Sequence, residues 1–261
     1  MKISSKILLI TVFIGAVSQR AAEAAQLPSH VMVSMTRPAL ATTKTKVNPT
    51  QLAEQQQDVK PATTKTTSNS NNVPTAVIQV GEYGENIYDA AKANNWTQAN
   101  SYLISLKDAA KRLDNESRIN ENPNEDQLDG AIATLNKSVP AKEQLATMRS
   151  ANQVTLLATN LSEPFNPQVP VAVAKLDYYG RQLEIGSKAR DMVELQQTAK
   201  DISQTWKTVR PTVMSGGGST QAQKFDSLVV LLEGAHSFNQ YSRLATALLN
   251  QVDNLEKVFT S

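Results

Sequence analysis

Cysteine is absent from the 261 residues, histidine occurs twice, and aromatic side chains make up 5% of the chain. The first absence excludes disulfides, thiolate zinc sites, iron–sulfur clusters, covalently attached c-type haem and a cysteine nucleophile. It also excludes lipid attachment at a bacterial lipoprotein cysteine. Long apolar runs are equally scarce: the stretch 7–17 holds eleven residues, about half of the roughly 20 that a membrane-spanning helix needs. No alternating Val/Ile/Thr run is long enough to indicate a sheet. Gly-x-Ser-x-Gly, His-Glu-x-x-His and Ser-x-x-Lys are missing too, so no motif organises a nucleophile or a hydrolytic metal.

Acidic and basic groups nearly balance. The chain carries 26 basic and 24 acidic groups, a formal +2. The excess sits at the front, because residues 76–261 hold 18 basic and 21 acidic groups. The part able to fold is therefore mildly acidic, which argues against a nucleic-acid partner.

The first 24 residues have the three parts of a secretory signal: basic Lys2 and Lys6, the apolar run 7–17, and small residues ending Ala22-Glu23-Ala24. Cleavage is expected after Ala24, leaving a periplasmic or extracellular protein with no transmembrane segment. Residues 25–75 turn to Thr, Ser, Asn, Gln, Pro and Lys, with near-repeats at 42–46 and 63–67. So little apolar surface predicts a disordered tail acting as a spacer.

From residue 76 onward helical periodicity dominates. Trp96, Ala99, Leu103, Leu106, Ala110 and Leu113 fall on one helix stripe. The same spacing recurs 96 residues later in Met192, Leu195, Ala199, Ile202, Trp206 and Val209. Ahead of these stripes Tyr83-Gly84 answers to Tyr179-Gly180, and after them Leu128, Ala131 and Leu135 answer to Phe225, Leu228 and Leu232. Near the ends, Asn152, Val154, Leu157 and Leu161 answer to Asn250, Val252, Leu255 and Phe259.

The reading is an internal repeat, about 78–162 and 174–260, within a helical bundle spanning 76–261. Each repeat is expected to be a helical hairpin with a long first helix and a second helix broken near Val139-Pro140 or His236. Two duplicated hairpins then make an all-α, four-helix antiparallel bundle with Trp96 and Trp206 at opposite ends of one core. Pro164, Pro167 and Pro170 mark the crossover, with Pro170 opening the next helix.

Such a bundle resembles four-helix haem proteins of the cytochrome b562 type in architecture. The resemblance implies haem held by one Met and one His; in this chain the candidates are His236 with Met192, Met148 or Met214. Glu233 and His236 share a helix face and offer two ligands to a metal, but His30 has no matching glutamate, so a di-iron site is excluded. The acidic stretch Asp114–Asp129 fails the calcium-loop frame, having Ile119 where glycine is needed. Gly216-Gly217-Gly218 lacks the Gly-Lys-Ser/Thr ending of a phosphate loop and reads as a helix end. Arg210 reads as a cation closing a helix, and Asp177/Arg181 and Glu184/Lys188 as solvated pairs four apart.

These observations lead to an exported, non-catalytic helical module that binds a protein partner or an apolar ligand. No cofactor is expected. The alternative is a haem or metal carrier using His236.

Overall fold

The computed structural model describes residues 73–113 and 123–260. The leader, almost all of the tail including His30, and the acidic stretch up to residue 122 lie outside them. Every regular element among the described residues is helical. In chain order they are α1 (Thr75–Lys92), α2 (Trp96–Leu113), α3 (Pro123–Ser138), α4 (Gln144–Ser162), α5 (Val171–Ala189), α6 (Met192–Ser215), α7 (Ser219–Glu233) and α8 (Phe238–Thr260). A 3-10 turn, Glu163–Phe165, follows α4.

The described residues form eight helices where four were expected. The breaks at Val139-Pro140 and at His236 are full chain reversals, and each long first helix is itself two helices. Between α1 and α2 the chain turns at Asn94, whose φ is 58°. The Asn95 side chain then accepts a hydrogen bond from the Gln98 amide at 3.2 Å. Between α5 and α6, Arg190 has the same φ of 58°, and Asp191 accepts from the Glu194 amide at 3.0 Å. A left-handed residue followed by an Asx N-cap ends one helix and starts another within three residues. Because the apolar stripes stay in phase across these turns, periodicity alone runs through them.

Short turns make successive helices antiparallel. In the first half α1 packs on α2 and α4, and α3 on α4; in the second half α5 packs on α6 and α8, and α7 on α6 and α8. Each half closes its own core. Ile87, Leu106, Leu135 and Leu157 centre the first, and Leu183, Ile202, Phe225 and Leu248 the second. The single seam expected between the halves is therefore replaced by two cores. Trp96 is half-buried at the edge of the first and Trp206 is buried within the second, so the indoles are not opposite ends of one core. The stripes themselves hold with small shifts: Ala109 rather than Ala110 is fully buried, and Val229 is buried where Leu228 is half-buried.

Three of the four paired helix starts share one offset, while Gln144 and Phe238 are 94 residues apart. Thr75 and Val171, Trp96 and Met192, and Pro123 and Ser219 are each 96 residues apart. The paired Tyr-Gly dipeptides sit at equivalent crossings. A Cβ on Gly84 of α1 would lie 2.9 Å from Thr155 Oγ1 and 3.1 Å from the Ala151 carbonyl oxygen of α4. One on Gly180 of α5 would lie 2.6 Å from Leu249 of α8. Glycine lets the first and last helix of each half approach closely.

At the crossover Pro170 precedes the first residue of α5, as expected, and Phe165 is buried. The glycine triplet ends α6 and leads into α7, with Gly217 at φ +88°. No helix among the described residues is long and apolar enough to cross a membrane.

Candidate functional site

Helices α4 and α5 join the two halves, and Ile185 of α5 packs into the first core. Where α1 meets α5 the chain buries a cluster of charges. Arg181, 4% exposed, places Nη2 3.0 Å from Asp177 Oδ2 and Nη1 3.4 Å from Glu85 Oε1. Its guanidinium lies 5.5 Å from the Tyr88 ring centre. The Tyr88 hydroxyl donates to Glu184 Oε2 at 2.8 Å, and Lys92 bonds the same carboxylate at 2.7 Å. The pair Asp177/Arg181 is thus interior, not solvated, and Glu184 is held by Lys92 of the first half.

Acids outnumber cations in this cluster. Burial pushes the Glu85 carboxyl up to about 7 against the pull of Arg181. Burial, with Asp177 nearby, likewise raises Asp253 of α8 to about 6. Asp177 and Asp89 are shifted upward by the same cause. Taking a carboxylate out of water disfavours its charged form, and one guanidinium cannot compensate several.

On another face of α5, Arg149 of α4 grips Glu194 of α6 with both terminal nitrogens, Nη2 to Oε2 at 2.7 Å. Asn152 donates to the Tyr178 carbonyl and to Gln182, both at 3.1 Å. Beside these contacts a shallow groove of about 450 Å³ runs between α3, α4 and α5, lined by Thr134, Arg149, Gln153, Tyr178 and Gln182. Burial pushes the Tyr178 hydroxyl up to about 12.

The residues singled out from sequence scatter. His236 and Glu233 are both exposed and line one cavity of about 380 Å³ between α6, α7 and the start of α8. Glu233 accepts a hydrogen bond from Ser203 at 2.8 Å. The His236 amide donates to Gln240 Oε1 at 2.9 Å, and the Gln240 amide to Ser237 Oγ at 3.4 Å, an arrangement that starts α8. Met192 is half-buried at the edge of the second core, Met148 is buried in the first, and Met214 is exposed. Among the described residues no three His, Asp or Glu side chains gather to hold a metal ion.

Arg210 does more than close a helix. Its Nε and Nη2 hold Asp226 of α7 at 2.9 and 2.8 Å, and the Trp206 indole donates to the same carboxylate at 2.7 Å. The Arg210 hydrogen bond holds the Asp226 carboxyl below the usual range.

The seam cluster escaped the sequence reading because Asp177 and Arg181 have the spacing of an ordinary surface pair. A signal was present: the buried positions of α5 include Val173, Leu176, Gly180, Leu183, Ile185 and Gly186, which overrun a single stripe. A helix apolar on several sides is packed on several sides, and charges on it are then interior. No known protein family, curated protein or solved structure matches the chain.

Proposed function

We propose that this chain is an exported, non-catalytic helical module that works by binding, in the periplasm or outside the cell. The observation supporting it is a division of labour among polar groups. The carboxylates that burial shifts toward their protonated form, Glu85, Asp89, Asp177 and Asp253, lie in the seam. Two surface cavities are lined mainly by amide, hydroxyl and basic side chains, with Glu233 the one acid among them, an inventory suited to recognition. We infer further that a unit of about 96 residues was duplicated, each copy closing a four-helix bundle. Supporting this are the equivalent helix starts, the paired turns at Asn94-Asn95 and Arg190-Asp191, and the paired crossings at Gly84 and Gly180.

Export is tested by expressing the full chain in a Gram-negative host, fractionating the cells and weighing the product. The reading expects a periplasmic protein whose mass begins at residue 25. An intact product confined to the cytoplasm contradicts it.

A second reading, a carrier of haem or metal, is favoured by the shared cavity of His236 and Glu233. Haem added to the purified protein decides it. A shifted Soret band that His236→Ala abolishes establishes the carrier, and an unchanged band removes its haem form.

A further inference from the structure

We propose that the cavity between α6, α7 and α8 binds a small monocarboxylate carrying a short apolar chain. Its volume, about 380 Å³, lies at the lower end of the ~300–1,000 Å³ typical of small-molecule pockets. Lys200 and Lys207 line it from α6, two turns apart on one face, and neither makes an ion pair among the described residues. Across from them the single acid, Glu233, is already engaged by the Ser203 hydroxyl. With two lysines against one carboxylate the cavity carries an uncompensated positive charge, which a monoanion balances.

Tyr241 supplies the second, independent observation. It lines the cavity with 2% of its surface exposed, yet its hydroxyl makes no hydrogen bond among the described residues. The hydroxyl is not one of the buried atoms left without a partner, so the little surface Tyr241 keeps includes it, an open donor on the cavity wall. A carboxylate oxygen, an acceptor only, is the complement of a phenol and two ammonium groups, which all donate. Gln196 and Gln204 complete the polar side, and Ala199, Leu232 and Ala235 form an apolar strip along which a short alkyl chain can lie. His236 stands at the rim as a further donor.

The experiment titrates isotopically labelled full chain with sodium octanoate, octan-1-ol and inorganic phosphate while backbone amide shifts are followed. Octanoate is expected to give saturable changes centred on Lys200, Ser203, Ala235 and Tyr241. Octanol, which lacks the charge, and phosphate, which lacks the chain, are expected to give none there. Lys200→Ala with Lys207→Ala should weaken octanoate by about tenfold or more, and Tyr241→Phe by about three- to tenfold. Tyr241→Phe should leave Tm unchanged, since the hydroxyl has no internal partner. Octanol matching octanoate, phosphate saturating the same amides, non-saturable scattered shifts, or a Tyr241→Phe variant that binds like the parent would each overturn the assignment. Cell fractionation tests export independently, so the two proposals fail separately.

Discussion

At the scale of single residues, Glu85 makes the sharpest prediction. Its carboxyl ordinarily titrates at 4.5 and in the fold at about 7. Between those values the folded chain holds a proton that the unfolded chain has lost, so the group's contribution to stability is full below pH 4.5 and is lost as pH rises through 7. Glu85→Gln removes this dependence. Urea unfolding at pH 5 and pH 8 should show the variant gaining on the parent by on the order of 1–3 kcal/mol across that interval. An unchanged difference would mean that Glu85 is not buried against Arg181. Trp206 tests the second core: tilted against Phe225 with ring centres 4.4 Å apart and 3% exposed, its truncation to Ala should cost about 3–5 kcal/mol by the same method. A loss under about 1 kcal/mol would place it at the surface. The burial of Trp206 was legible from its stripe. Its bond to Asp226 was not, because Asp226 lies on a different helix and only tertiary packing brings the two together.

At the scale of elements, the helix faces were readable and the helix ends only partly so. Val139-Pro140 announces a break because proline cannot continue a helix. Asn94-Asn95 and Arg190-Asp191 do not, since Asn, Arg and Asp all occur inside helices and the flanking stripes stay in register. Gly84 and Gly180 were recognised as a pair, and the structure supplies their reason in the close crossings of α1 on α4 and α5 on α8. Alanine at either gains about 1 kcal/mol of helix propensity but must fit its methyl group. At Gly84 the obstacle includes the Ala151 carbonyl, which is backbone, whereas at Gly180 it is leucine side chains that can rotate. Gly84→Ala should therefore lower thermal stability by about 1–3 kcal/mol, and Gly180→Ala by less. The reverse order, measured by calorimetry, would misplace the α1–α4 crossing.

At the scale of the whole molecule, the all-helical class was visible in composition and periodicity. The division into two cores was not, because one hydrophobic stripe per helix says which face is inside but not which helix it faces. The seam was hidden for a related reason: a charge four residues from its partner looks the same whether water or α1 lies beyond it. The central claim is that each half closes its own core and that charges and α4–α5 packing join them. Hydrogen exchange of the intact chain in mild denaturant tests this most directly, comparing the parent with Leu106→Ala, a truncation in the first core. The account predicts that amides in 75–162 exchange about a hundredfold faster or more in the variant, while protection in 171–260 changes far less. Equal loss of protection in both halves would contradict it.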